Sequence, residues 1–228
     1  MTTAKREMTF LLAEPEKRIL HRMATRLPAA VKSDHLTVLG VLAAFGVGLG
    51  YALSAVHAGW LWLASAMFVA NWFGDSLDGT LARVRHVERP NYGYYLDHAI
   101  DSFTTVLIAG GLGLSPYVRL EVGLLLVILY LMLSINVYLE AVVHGVFHMA
   151  YGRIGPTEMR ILAILGNTIL FFAPAVLGPR AETVVPLVAN GIVGAAVAGM
   201  FFMWATRFFQ NLRALALQEP LPEWTGDR

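Results

Sequence analysis

The chain has 228 residues, of which 57% are hydrophobic and 14% are charged, and its mean hydropathy is +0.59. This composition is too apolar for a soluble domain of that size and predicts an integral membrane protein. The absence of cysteine excludes disulfides, thiolate nucleophiles and cysteine-ligated metal centres, so oxygen or nitrogen would have to hold any metal. The net charge of +1 is uninformative as a total, and we expect no nucleic-acid partner.

Residues 1–35 form the first predicted unit, an amphipathic segment. Apolar residues alternate with basic ones at helical spacing: Phe10, Leu11, Ile19, Leu20, Met23 and Leu27. This pattern favours an interfacial helix on the cytoplasmic leaflet, with its basic side chains facing anionic headgroups. A solvated arm with no membrane contact would show the same pattern. Pro28 is expected to end the helix before the first membrane span.

About six apolar runs of spanning length follow this segment. Their bounds are Leu36–Ala55, Trp60–Asp78, Tyr95–Leu114, Glu121–His144, Met159–Leu177 and Thr183–Phe208. No strand-like alternation competes with them, so we predict an all-α polytopic membrane protein. Residues 36–208 would form a six-helix catalytic domain, and residues 209–228 a cytoplasmic tail.

The distribution of basic residues predicts the orientation of these spans. Of the 17 Lys and Arg residues, only Arg119 and Arg180 fall on one side of the predicted membrane. Cytoplasmic loops carry the excess of Lys and Arg, so the other side is cytoplasmic. Both termini and the polar loop between the second and third runs should therefore face the cytoplasm.

Four aspartates, Asp75, Asp78, Asp97 and Asp101, lie at the facing ends of the second and third runs. An acidic side chain at bilayer depth costs about 2.5–3.5 kcal/mol on insertion scales, so four require compensation. Divalent cations with oxygen ligands would provide it, which points to Mg²⁺, Mn²⁺ or Ca²⁺. A solvated helix end could account for two such acids, but it explains four at set spacing poorly.

Helical periodicity places the polar residues of this region on two stripes. One stripe holds Asp75, Asp78, Gly79, Ala82 and Arg83, and the other holds Gly93, Asp97 and Asp101. The two carboxylates of each stripe are separated by a rise of about 4.5 Å and about 6 Å respectively. Acids at that spacing on facing helices could flank a pair of ions about 4 Å apart.

The small residues of the first stripe indicate a ligand groove. Gly79 and Ala82 leave space where a bulky side chain would block a ligand lying against the helix. Arg83, one turn beyond Gly79, could reach phosphate oxygens with its bidentate guanidinium.

The whole pattern, Asp75-x-x-Asp78-Gly79-x-x-Ala82-Arg83, nine residues, then Gly93-x-x-x-Asp97-x-x-x-Asp101, resembles the signature of the CDP-alcohol phosphotransferase (CDP-alcohol phosphatidyltransferase) family. All eight signature positions are present. The resemblance implies that an alcohol hydroxyl attacks a phosphorus of a CDP-linked donor and that CMP leaves. The donor could be CDP-diacylglycerol or a soluble CDP-alcohol. The resemblance also implies a homodimer.

The resemblance also implies roles for the signature residues. Asp75, Asp78 and Asp97 would hold two metal ions, while Asp101 would be the general base and a further ligand. The CDP moiety would lie against Gly79, Ala82 and Arg83.

Polar residues outside the signature keep more than one interpretation. Glu158 and Arg160, at the start of the fifth run, are candidates for the alcohol pocket or for a capping and topogenic role. His98 could contact substrate or be a hydrogen-bonded polar group between helices. Glu140 could be functional or have an interhelical role. His144 and His148 form a weak candidate for a metal-binding pair.

Two other classes of function fit a membrane protein with clustered acids. A metal-dependent phosphatase or pyrophosphatase would use water in place of the alcohol. A carboxylate-based cation transporter would usually place its acids near the bilayer midplane and often shows inverted repeats, and neither feature is evident here. Paired glycines, Gly46 with Gly50 and Gly191 with Gly199, indicate close helix packing within the chain or at a homodimer interface.

Overall fold

The computed structural model describes residues 12–144 and 155–221, and these residues form an all-helical fold, as predicted. The helices are α1 (Ala13–Arg26), α2 (Ser33–Leu53), α3 (Trp60–Val84), α4 (Pro90–Gly113), α5 (Leu120–His144), α6 (Pro156–Leu177) and α7 (Ala181–Gln218). A short 3₁₀ turn, Gly178–Arg180, joins α6 to α7. The described part of the chain contains no strand.

Three stretches of the described chain are long and apolar enough to cross a membrane. They are Ser33–Leu53, Leu120–His144 and Pro156–Gln218, and the third contains both α6 and α7. The helices with the four aspartates, α3 and α4, are not among these candidates. The chain is thus a membrane protein with three candidate spans, and about six spans remains a prediction.

The end of α1 follows from the local sequence. The helix ends at Arg26, and Leu27 adopts an extended backbone with φ −68° and ψ 136°. A residue before proline avoids the helical region, because the proline ring clashes with it. Pro28 therefore lies just after the helix end, as the sequence predicted.

The inner face of α1 packs on protein. Leu20 and Ala24 are buried in one cluster with Leu36 of α2 and with Leu77 and Leu81 of α3. The basic residues on the other face of α1 are exposed: Lys17, Arg18, Arg22 and Arg26. This arrangement leaves a charged surface outward and holds the helix against the motif-bearing half of α3.

The linker between α1 and α2 is held by the end of α3. The Arg85 guanidinium donates hydrogen bonds to the carbonyl oxygens of Leu27 (3.1 Å), Pro28 (2.9 Å) and Val31. Three main-chain acceptors thus converge on one cation, and charge-assisted bonds of this kind are stronger than neutral ones.

Glycines let α2 pack closely against both α3 and α4. A methyl group on Gly74 of α3 would lie 2.6 Å from the amide nitrogen of Gly40, and one on Gly111 of α4 would lie 2.4 Å from the Cα of Gly48. Only residues without a side chain permit such backbone contact. This packing holds both aspartate-bearing helices against α2.

The two glycine pairs singled out in the sequence behave differently. Gly50 packs within the chain, because a methyl group there would lie 2.8 Å from the amide nitrogen of Ala64, and one on Gly46 would contact the flexible Met67 side chain. Gly191 and Gly199 have no atom within 4 Å of such a methyl group among the described residues. Intramolecular packing thus accounts for the first pair, and the homodimer stays a prediction.

Candidate active site

All four predicted aspartates line one cavity between α2, α3, α4 and α6. The cavity wall consists of Thr37, Gly40, Asn71, Asp75, Asp78, Asp97, Ile100, Asp101, Thr104 and Arg160. The acidic stripes of α3 and α4 therefore meet at a common space. Because Asp75 and Asp78 are three residues apart and Asp97 and Asp101 four apart, each pair lies on one face of its helix.

Asp78 is nearly fully buried and is held by its surroundings. Its Oδ2 accepts a hydrogen bond from the Thr37 hydroxyl of α2 at 2.6 Å, and its Oδ1 accepts one from the Gly79 amide at 2.5 Å. A buried carboxylate requires such donors, since an unpaired charge away from water is strongly unfavourable. Thr37 therefore orients Asp78 from the neighbouring helix.

Asp75 pairs with an arginine from α6. The Nη2 of Arg160 lies 2.5 Å from Oδ2 of Asp75, and its Nε donates to Oδ1 of Asn71 at 2.9 Å. The Asn71 side chain donates in turn to the carbonyl oxygen of Gly40 at 2.9 Å. The remaining nitrogen of Arg160, Nη1, is buried and has no hydrogen-bond partner among the described residues.

Asp97 and Asp101 approach the cavity from α4. Asp101 experiences repulsion from Asp75, Asp97 and Asp78, and attraction from Arg160. Among the residues that line the cavity, Arg160 is the cation that faces these four acids. The wall therefore carries an excess of negative charge.

The residues predicted to contact the CDP moiety lie beside this cavity, along the last two turns of α3. The guanidinium of Arg83 covers Gly79, since a methyl group on Gly79 would lie 3.4 Å from Nη1 of Arg83. Arg83 is exposed and donates to the Thr80 hydroxyl at 3.0 Å. Gly79, Ala82 and Arg83 do not belong to the wall of the aspartate cavity. A ligand that contacted both these residues and the aspartates would therefore extend along α3.

The polar residues outside the signature occupy different parts of the fold. The ring of His98 contacts Tyr94 and Tyr138, and its Nδ1 lies 2.6 Å from the carbonyl oxygen of Tyr94. Glu140 is buried between α5 and α7, where its Oε1 accepts from Asn136 (2.7 Å) and Asn211 (2.6 Å). These bonds give Glu140 an interhelical role.

The histidine pair and the start of α6 lie in two further places. His144 is the last residue of α5, and His148 lies outside the described residues. Glu158 accepts a hydrogen bond from the Gly155 amide at 3.0 Å and so caps α6, while Arg160 reaches the aspartate cavity. The same short segment therefore provides both a cap and a cavity residue.

Five residues of the cavity wall were not predicted: Thr37, Gly40, Asn71, Ile100 and Thr104. Asn71 lies four residues before Asp75, so helical spacing could have indicated it. Thr37 belongs to α2 and has no fixed spacing to the motif. Only the packing of α2 against α3 brings it to Asp78.

The donor chemistry of the cavity fits a hard divalent cation. Its acidic wall offers carboxylate oxygens without a histidine or cysteine, and Mg²⁺ and Mn²⁺ prefer such ligands. No three acidic, histidine or cysteine side chains converge closely enough to hold an ion among residues 12–144 and 155–221. The Asp75 carboxylate is instead engaged by Arg160.

Comparison with known proteins gives the class to which this arrangement belongs. Residues 32–211 match the family model for CDP-alcohol phosphatidyltransferase, which covers most of the chain and includes every cavity residue. The chain belongs to this family of membrane transferases of phospholipid biosynthesis, which is generally dependent on divalent metals.

A curated relative is the archaetidylinositol phosphate synthase of Methanothermobacter thermautotrophicus. The two proteins are 32% identical over 110 residues, which are 48% of this chain and 52% of the relative. The match thus spans about half the length of that relative.

Proposed function

We propose that this protein transfers a phosphatidyl or phospho-alcohol group from a CDP-linked donor to an alcohol hydroxyl, with release of CMP. Family membership and the meeting of all four signature aspartates at one cavity support this activity. The shared cavity is the main support for this proposal, because acids from two helices meet there in one potential site.

Asp75, Asp78, Asp97 and Asp101 would hold one or two divalent ions, Mg²⁺ or Mn²⁺. Such ions, when bound, neutralise diphosphate charge and polarise phosphoryl oxygens. Thr37 and the Gly79 amide keep Asp78 directed by hydrogen bonds. These contacts would hold the Asp78 carboxylate in place as ions bind and leave.

Asp101 would act as the general base. It would accept the proton of the acceptor hydroxyl while the acceptor oxygen forms a bond to the donor phosphorus. The bond between that phosphorus and the CMP oxygen breaks, and CMP leaves with the electron pair. The position of Asp101 in the same cavity wall as the acids of α3 supports this role.

Gly79, Ala82 and Arg83 would receive the cytidine diphosphate. The exposed guanidinium of Arg83 above Gly79 can donate two parallel hydrogen bonds to phosphate oxygens. A nucleotide along α3 would then place its diphosphate towards the aspartates.

A phosphorylated polyol is the acceptor class to test first. The relative is named for an inositol phosphate lipid, and Arg160 has a buried nitrogen that no described residue hydrogen-bonds. An anionic group of the acceptor could satisfy that nitrogen. Glu158 is placed differently, since it is occupied at the helix cap.

We further propose a multi-pass arrangement of about six spans with both termini and the active site facing the cytoplasm. The excess of Lys and Arg on that side supports this orientation. The exposed basic face of α1 supports an interfacial location for this helix on anionic lipid. A homodimer is proposed on the family resemblance.

The decisive experiment is CMP release by the purified protein in detergent or lipid. CDP-diacylglycerol and soluble CDP-alcohols would be offered with Mg²⁺ or Mn²⁺ and a panel of alcohols that includes inositol phosphate. Release of CMP that requires an added alcohol, with matching formation of the phosphodiester, is the expected result. CMP release without any alcohol would indicate a hydrolase, and ion-gradient dissipation in proteoliposomes without CMP release would indicate a transporter.

A further inference from the structure

Helix α1 is connected to the active-site helices through one carboxylate, Glu16. Its Oε1 accepts two hydrogen bonds, from the indole Nε1 of Trp72 in α3 and from the hydroxyl of Thr157 in α6, each at 2.7 Å. The Glu16 side chain is half-buried, so these bonds are partly shielded from water. One side chain thus joins three helices.

Both partners of Glu16 are close in sequence to the two residues of the Arg160–Asn71 hydrogen bond. Trp72 directly follows Asn71, which accepts the hydrogen bond from Arg160. Thr157 precedes Arg160 by three residues, nearly one helical turn. The two bonds of Glu16 therefore connect α3 and α6 close to the point where Arg160 meets Asn71 and Asp75.

Two further ties restrain α1. The Leu12 amide donates to Oε1 of Glu158 at 2.8 Å, so the start of α1 is also bound to the start of α6. At the other end, Arg85 binds the linker that follows α1. Because α1 is restrained at both ends, it can resist movement of the α6 start that it holds.

We propose that Glu16 is a positioning residue for Arg160. By bonding Trp72 and Thr157 together, it holds the start of α6 against α3 at the height where Arg160 pairs with Asp75. The N-terminal helix thereby becomes part of the support of the active site. The importance of this support for turnover rests on the proposed function, whereas the positioning itself does not.

Substitutions at Glu16 separate hydrogen bonding from charge. In E16Q, the amide oxygen can still accept from both Trp72 and Thr157. In E16A neither bond can form. Glu14 provides a matched control because it lies on the same helix, carries the same charge and is exposed.

Dipolar EPR tests the positioning without any substrate. The chain contains no cysteine, so two engineered cysteines at exposed positions can be labelled specifically. Val69 of α3 and Leu162 of α6 are suitable, with exposures of 54% and 53%. We expect E16A to lengthen or broaden the distance distribution between these labels, while E16Q and E14A leave it unchanged. An unaltered distribution in E16A would overturn the proposal.

Turnover provides a second measurement in the full-length enzyme. With inositol phosphate as the acceptor, E16A should raise the acceptor KM about tenfold, E16Q should restore it, and E14A should have no effect. In the R160Q background, E16A should cause little further loss of turnover, because Glu16 acts through Arg160. Fully multiplicative losses in the double variant would contradict this route. If the wild type uses no acceptor, the proposed function fails, and the EPR result alone decides the positioning role.

Discussion

A pair of adjacent glycines in α4 offers a sharp test of how the aspartates are positioned. Gly111 faces α2, where a methyl group would lie 2.4 Å from the Cα and 2.6 Å from the carbonyl oxygen of Gly48. At Gly110, no atom of residues 12–144 or 155–221 lies within 4 Å of such a methyl group. G111A and G110A therefore make the same chemical change in the same helix and differ in the space available.

The expected cost of G111A follows from the contact distance. Carbon atoms prefer separations of about 3.5–4.0 Å, so α4 would have to retreat from α2 by about 1 Å. Overpacking costs typically about 1–3 kcal/mol, and we expect the upper end because backbone atoms cannot change rotamer. In G110A, the loss of unfolded-state freedom should stabilise the protein by about 0.4–1 kcal/mol.

Thermal unfolding of the purified variants measures this difference. For a chain of this size, 1 kcal/mol corresponds to about 2–4 °C, so G111A should unfold roughly 10 °C below the wild type. G110A should match or slightly exceed the wild type. Equal unfolding temperatures for the two variants would refute the close packing of α2 and α4 as a determinant of stability.

The same retreat should affect catalysis. Gly111 and Asp101 belong to one helix, so movement of α4 shifts Asp101 relative to the acids of α3. A misplacement of about 1 Å can reduce a rate about 100-fold. We expect G111A to lose kcat to about this extent in CMP release, with G110A close to the wild type. Full activity in a correctly folded G111A would contradict a fixed position for α4.

Other predictions concern single residues of the site and the bundle. D101N should lower CMP release by a factor of about 10²–10⁴ while the CDP donor still binds, and retained turnover would remove Asp101 from the base role. D78A should abolish Mn²⁺-dependent nucleotide binding, measured by calorimetry; a normal Mn²⁺ titration would contradict its ligand role. N211L should lower the free energy of unfolding by about 1–3 kcal/mol, because Glu140 loses one of its two bonds. An unchanged denaturation midpoint would show that Asn136 alone suffices for Glu140.

Hydropathy located the helices better than it located their ends. The second run was predicted to span Trp60–Asp78, but α3 begins at Trp60 and continues to Val84. The third was predicted from Tyr95, but α4 begins at Pro90, in keeping with the preference of proline for the first helical turn. Apolar content marks a stretch suited to lipid, whereas a helix can continue through polar residues.

Helical spacing within α3 and α4 was enough to predict that their aspartates share faces. It was not enough to predict Thr37 or the pairing of Arg160 with Asp75, because these contacts depend on how α2 and α6 pack against α3. From the sequence alone, Arg160 could either line an alcohol pocket or have a topogenic role. Its hydrogen bond to Asn71 is the detail that tertiary structure adds.

The amphipathic pattern of α1 could not identify the partner of its apolar face. Burial of Leu20 and Ala24 against Leu77 and Leu81 shows that protein covers part of that face. A lipid surface and a neighbouring helix both select apolar residues at helical spacing. The pattern therefore indicated a helix and a buried side, while the contact required the structure.

The way Arg85 fastens the linker has a consequence for sequence variation. Its three acceptors belong to the peptide backbone of Leu27, Pro28 and Val31, so the anchorage does not depend on their side chains. Homologous chains could exchange these linker residues and keep the same path, provided that the guanidinium remains. Divergence in this segment would then be a poor guide to divergence in architecture.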